Sequence, residues 1–232
     1  ENVGRVTNFV TGLQNSKSNV SGDPSPFTAH GVLKCIEVTA RRLGKTNGLT
    51  GVSVAIQGLG NVGFNLMREL HAKGAKLLVA DLDNEKVAHA KSAFGAEEFS
   101  IESLKQFEID VFSPCALGGV VNEELARTIR ARSIVGGANN QLATKNVGKI
   151  LHDRRILYAP DFVCNAGGII MLMHEYRNTG EDRETVLKEV DRIALRLEKI
   201  FVESANSSKA SSDIAIQTAE LKIATATERG SN

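Results

Sequence analysis

The chain has 232 residues, 42% of them hydrophobic and 24% charged, with a formal net charge of +1. That is the composition of a globular protein with one large domain, or one domain and part of a second. Near-neutral charge without a dense Lys/Arg run argues against a nucleic-acid partner, and no apolar run approaches the ~20 residues that span a bilayer.

In chain order, residues 15–26 are polar and rich in turn formers, and read as a loop entering the main domain. A helix is predicted from about Thr28 to Leu43, stopped at Gly44. Ser53–Gln57 is a short buried strand, Phe64–Lys73 a helix with Gly74 in the C-cap place, and Lys76–Ala80 a second strand. Asn84 is placed to cap a helix running to Phe94, with Gly95 as its stop. Phe99 belongs to a short strand or connector. Further strands are expected at Asp110–Ser113, Ser133–Val135 and Ile156–Ala159, with a helix from about Asn122 to Arg130.

After Pro160 the pattern changes. Ala166–Tyr176 reads as a helix, and Glu181 to about Ala205 as a long amphipathic one with Val186, Val190, Ile193, Leu197, Ile200 and Phe201 on one face. Several serines break it, and a last helix covers roughly Asp213–Ala224. Strand alternating with helix predicts an α/β fold: a doubly wound, mainly parallel sheet with additional C-terminal helices.

The strongest chemical signal is Gly58, Gly60 and Gly63 in GLGNVG. The motif follows a strand directly and opens a helix. Gly58 permits the tight turn, Gly60 lets backbone approach a pyrophosphate, and Gly63 lets helix and strand pack closely. The helix N-terminus, through Asn61 and Val62, offers amide hydrogens to phosphate. Asp81 closes the second strand, where an acid in a Rossmann-type domain binds the adenine ribose hydroxyls and repels a 2′-phosphate. The expected cofactor is therefore NAD. The competing role for Asp81 is a cap for the following helix.

Three further segments follow strand ends: Ser113–Gly119, Gly136–Gln141 and Asp161–Gly168. Ligands in open α/β sheets bind at that rim. Asn139, Asn140 and Asn165 supply amide groups suited to a carboxamide or a carboxylate. Cys35, Cys115 and Cys164 are too few and too scattered for a disulfide framework or a CxxC metal site, so a reducing, cytoplasmic setting is expected. Cys115 and Cys164 have no neighbouring base in sequence and read as packing residues. The five histidines show no metal-ligand spacing, and His71 and His89 fall on solvent faces.

In order, GDPSPFTAHGV, GLGNVG, LLVADLD, SPCALGG, GGANNQL and YAPDFVCNAGG resemble the leucine, phenylalanine, valine and tryptophan dehydrogenases, within the wider glutamate dehydrogenase superfamily. The resemblance implies reversible, NAD-dependent oxidative deamination of a small-molecule amino acid by a homo-oligomer. It implies that Thr28 contacts the nicotinamide carboxamide, that Ala138 and Asn139 border the nicotinamide and its ribose, and that Cys115 and Ala116 line the cofactor cleft. It places Asn165 on the substrate carboxylate and Leu197 and Ile200 on an apolar substrate pocket. The family's reaction centre, a GGGK segment with a second lysine and an aspartate, has no counterpart here, since no Gly-Gly precedes a lysine. No catalytic residue is therefore assigned. The expected layout is a tail of an N-terminal catalytic domain over 1–14, the NAD-binding domain with its interdomain helix over 15–205, and a C-terminal helix and tail over 206–232. A glutamate dehydrogenase and a non-catalytic NAD-binding module remain as alternatives.

Overall fold

The computed structural model describes residues 6–7, 10–12, 20–177 and 179–230, with side chains as far as 227. The expected tail over 1–14 lies mostly outside the described residues, as do 15–19 of the expected loop over 15–26, whose last two residues, Ser25 and Pro26, instead begin α1. Helix α1 (Ser25–Arg42) starts three residues before Thr28, because Pro24 and Pro26 sit where a first turn needs no amide hydrogen. Strand β1 (Ser53–Gln57) has the predicted bounds. Helix α2 (Asn61–Ala72) begins three residues before the predicted Phe64, so Gly63 lies inside its first turn.

Strand β2 (Lys76–Ala80) leads to α3 (Asn84–Phe94), which ends at Gly95 in the left-handed region (φ 62°). The cap of α3 is Asp83 rather than the predicted Asn84. Its carboxylate accepts the N–H groups of Glu85 at 3.0 Å and Lys86 at 3.4 Å, and Asn84 is already the first helical residue. Then come β3 (Glu97–Glu98), a 3-10 turn at Glu102–Lys105, β4 (Ile109–Pro114), α4 (Glu123–Thr128) and β5 (Ala131–Ile134). Asn122 caps α4, accepting the Leu125 N–H at 2.8 Å. Helix α5 (Lys145–Asp153) fills a stretch for which no element is predicted. Val147, Ile150 and Leu151 are its buried face, a stripe too short to stand out between two loops.

Strand β6 (Leu157–Tyr158), the short α6 (Asp161–Cys164), α7 (Ala166–Arg177), α8 (Arg183–Ser207) and α9 (Ser211–Gly230) complete the chain. The expected boundary at 205/206 falls within α8, which continues until Ser208 takes a left-handed conformation.

All strand pairs are parallel, in the order β3-β2-β1-β4-β5-β6. The chain therefore reverses direction across the sheet between β1 and β4, the crevice at which doubly wound folds bind ligands. Strand periodicity divides the core. Val54, Ile56 and Val79 face α1, α2 and α8 on one side, and Ala55, Phe112 and Ile134 face α4 and α5 on the other. No helix among the described residues is long and apolar enough to cross a membrane.

Candidate dinucleotide site

The turn after β1 lies at that crevice. Gly58 adopts φ +96°, and its N–H donates to the Ala80 carbonyl at 2.7 Å, tying the turn to β2. A Cβ there would meet Ala116 Cβ at 2.8 Å, so only glycine lets the β1 and β4 ends close up. A Cβ on Gly63 would strike the Gly58 carbonyl oxygen, which holds α2 against the turn. Gly60 differs: a Cβ there meets nothing within 4 Å, so it faces open space. It is the N-cap of α2 and supplies no side-chain acceptor, leaving the first amides of α2 free. An open, glycine-lined helix N-terminus fits a pyrophosphate.

Asp81 closes the opposite wall. Its Oδ2 accepts the Leu59 N–H at 2.5 Å and its Oδ1 accepts the Asp83 N–H at 2.9 Å. Burial works against its charge, yet these backbone donors and Lys86 together hold the carboxyl below the usual carboxylate range. The cap of α3 is Asp83, so Asp81 is committed to the glycine turn and not to capping. Lys86 pairs with Asp83 at 3.6 Å, half in solvent.

The other rim segments converge on this crevice. The Cys115 N–H donates to Gln57 O at 2.7 Å, and the Ala138 N–H to Pro114 O at 3.0 Å. A Cβ on Gly137 would lie 2.6 Å from Val62 Cγ1 and 3.7 Å from Cys115 Sγ, which brings the β5 loop onto the α2 N-terminus. Asn165 Nδ2 donates to Asn139 Oδ1 at 2.6 Å, joining the β5 and β6 loops. A Cβ on Gly168 would lie 2.5 Å from Thr28 Oγ1, so the start of α1 belongs to the same rim. Asn61 reaches back to Asp23 at 3.2 Å. Thr28, Asn61, Val62, Asp81, Cys115, Ala116, Ala138, Asn139 and Asn165 thus surround one crevice, although they come from six segments.

Burial pushes the Cys115 thiol up against a weaker opposing hydrogen bond to Gly137, and burial pushes the Cys164 thiol higher still. Both are protonated packing groups rather than nucleophiles. His71 and His89 are exposed as expected, with the His89 ring stacked on Phe64 at 5.9 Å.

Leu197 and Ile200 do not join the rim. Leu197 is 0% exposed within the core shared by α1 and α8, and Ile200 is 6% exposed against Ile214 and Ala215 of α9. An apolar stripe on an amphipathic helix marks the face toward its own core. Their assignment to a substrate pocket is corrected on that ground. Exposed apolar side chains on the elements flanking Asn165 instead include Phe162, Ile169 and Met173.

Two positioning residues escape a sequence reading. Gln141 is fully buried and donates through Nε2 to the carbonyls of Gly136 at 2.8 Å and Ala138 at 3.0 Å, which pins the loop that carries Asn139. Asp161 accepts the Gln141 N–H at 3.0 Å and ties that loop to β6. Neither role has a local signal, because each partner lies on another loop or across a turn.

The sequence matches the profile of the Glutamate/Leucine/Phenylalanine/Valine dehydrogenase family over residues 22–86 and 78–230. It is 41% identical to leucine dehydrogenase of Geobacillus stearothermophilus over 195 residues, covering 84% of this chain and 52% of that protein. It is 38% identical to L-tryptophan dehydrogenase of Nostoc punctiforme over 222 residues, 95% of this chain and 61% of that one. The crystal structure of the Nostoc punctiforme enzyme superposes with a TM-score of 0.82 at 37% identity, covering 90% of this chain and 63% of that one. Glutamate dehydrogenase from Peptoniphilus asaccharolyticus superposes at 0.67 with 22% identity over 90% of this chain and 54% of that one, a likeness of fold alone. The chain spans just over half the length of the curated relatives it matches.

Proposed function

The chain belongs to the glutamate/leucine/phenylalanine/valine dehydrogenase family, and from that premise we propose that it is the cofactor-binding part of an NAD-dependent enzyme. The enzyme reversibly deaminates an apolar L-amino acid to its 2-oxo acid and ammonia, and works as a homo-oligomer. The observation that carries the reading is the Asp81 carboxylate, held ionised at the end of β2 beside the open face of Gly60.

When bound, the nicotinamide would accept a hydride from the amino acid Cα. The chain's own residues bind and orient. Free amides at the start of α2 hold the phosphates, and Asp81 accepts from the ribose hydroxyls. Cys115, Ala116, Ala138 and Val62 form an apolar wall, and a bound cofactor that excludes water from it would strengthen the polar contacts made there. Thr28 and the linked amides of Asn139 and Asn165 present hydrogen-bonding groups to the nicotinamide and to a substrate carboxylate. An apolar substrate is supported by the leucine and tryptophan dehydrogenase relatives and by the exposed side chains of Phe162, Ile169 and Met173 near Asn165. Proton transfer falls to groups outside this set, so the chain by itself is expected to bind NADH without turning over amino acids.

Titration with NADH and NADPH at equal ionic strength tests the assignment. Two charge-assisted hydrogen bonds from the ribose contribute ~1.5–3 kcal/mol each. A 2′-phosphate at ~4 Å from Asp81 adds about 4 kcal/mol of repulsion at an effective dielectric near 20. NADH is therefore expected to bind at least about a hundredfold more tightly, and Asp81→Ala to remove most of that margin. Equal affinity for the two in the unaltered protein would overturn NAD as the cofactor.

A further inference from the structure

A second cavity, of about 210 Å³, lies at the far end of α1 from Thr28. Thr28 and Arg42 are 14 residues apart on that helix, a separation of about 21 Å along its axis. Arg42, Gly148, His152, Arg155, Phe201 and Ser204 form most of its wall, contributed by α1, α5, the turn after α5, and α8. No Asp or Glu lines it, in a chain with 27 of them.

The polar groups of this cavity are mostly spare donors. The Arg42 guanidinium lies 5.5 Å over the Phe201 ring and donates through one terminal nitrogen to Glu198 Oε1 at 2.6 Å and to the Glu198 carbonyl at 3.5 Å. Its Nε–H is out of solvent and has no partner among the described residues. Arg155 takes a left-handed conformation (φ 57°), with its N–H on the His152 carbonyl at 2.9 Å. No described side chain pairs with the Arg155 guanidinium or the His152 ring. The serine hydroxyl protons at the wall are already used: Ser204 donates to Lys209 O and Ser211 to Tyr158 O, each at 2.5 Å. Guanidinium groups donate and never accept, and their planar fork matches an oxyanion. Glu198 neutralises one of the two guanidinium charges, so a net positive charge remains. The rest of the wall, including Ile156, Leu157 and Ala205, is apolar and suits a compact body attached to the anion.

We propose that this cavity binds a small oxyanion, a phosphomonoester or a compact carboxylate, held by Arg42, Arg155 and His152. It is separate from the dinucleotide crevice, and its ligand would link α1, α5 and α8. Calorimetric titration with phenyl phosphate, inorganic phosphate and benzoate at constant ionic strength tests this, with and without NADH. At least one probe is expected to bind, to be undisturbed by NADH, and to lose about tenfold or more in affinity in Arg155→Gln. His152→Gln is expected to weaken it to a smaller extent. Arg155 is exposed, so its replacement leaves the fold intact, which a thermal melt checks. The better of the phosphate and benzoate arms identifies the oxyanion. No binding by any probe, displacement by NADH, or affinity unchanged in both variants would overturn the proposal.

Discussion

Two strand-to-helix junctions of this protein look alike in sequence and do opposite things. Gly58–Gly63 leads from β1 into α2, and Asp161–Gly168 leads from β6 through the short α6 into α7. Each follows a strand, opens a helix and places glycines at the junction. At the first, Gly60 has nothing within 4 Å of where its Cβ would stand. At the second, a Cβ on Gly167 would strike the Phe27 carbonyl, and one on Gly168 would crowd Thr28 Oγ1. The first glycine leaves room for a ligand, and the second pair lets α7 approach α1. A glycine's meaning is set by what lies opposite it, and local sequence does not contain that.

The sharpest way to break this comparison is Gly167→Val. Its side chain must displace the backbone at Phe27, whose carbonyl carbon would lie 2.7 Å from the Cβ alone. The loss of stability should be about 3–4 kcal/mol, lowering the melting temperature by roughly 6–16 °C. A shift under ~2 °C would mean the two helices are not in contact there.

Leu197→Ala is expected to cost about 3 kcal/mol by cavity formation, read from urea unfolding. The affinity of the folded fraction for NADH should be unchanged. An unaltered unfolding midpoint would return Leu197 to the cleft and restore the pocket role it loses here.

Gly60→Ala should do the reverse of Gly167→Val. The melting temperature should move by no more than ~2 °C, the effect of less than 1 kcal/mol, while NADH binding weakens about tenfold as the methyl enters the phosphate space. Normal NADH affinity in this variant would remove the pyrophosphate from this turn.

The smallest effect concerns His30, which bridges Glu69 of α2 at 3.2 Å and Asp191 of α8 at 2.8 Å. The hydrogen bond to Glu69 raises its pKa most, partial burial opposes this, and Asp191 adds to the rise. A raised folded pKa means that the imidazolium stabilises the fold fully below its ordinary pKa of ~6.5. That contribution fades as pH climbs through the raised value. Pairs of this kind contribute ~1 kcal/mol or less. Stability measured from pH 6 to 8 should therefore decline slightly more in the native protein than in His30→Gln, and parallel curves would remove the histidine from the bridge.

Much of the first turn was legible because its parts are close in the chain. GLGNVG follows its strand without a gap, and Asp81 stands 23 residues after Gly58, at the end of the next strand (81 − 58 = 23). The rim loops were legible as strand ends, and Asn139 and Asn165 as amides on them. Their mutual hydrogen bond was not, since 26 residues separate them. Leu197 and Ile200 show the limit most clearly. Their spacing marks one face of α8, but a stripe of apolar residues is the same whether it faces a core or a cleft.

By itself, the sequence determined the strand and helix alternation, the parallel doubly wound sheet, the glycine turn with its acid, and the family. Each follows from local periodicity, or from motifs whose parts lie within one or two elements. Only the tertiary structure decided which glycines face space, which cap holds α3, where α5 lies, and that the α8 stripe is core. It also set the cluster of donors around Arg42 and Arg155 that have no partner among the described residues. Those properties depend on residues that meet only when α1, α5, α7 and α8 pack together, and burial and hydrogen-bond partnership are fixed by that packing rather than by residue type.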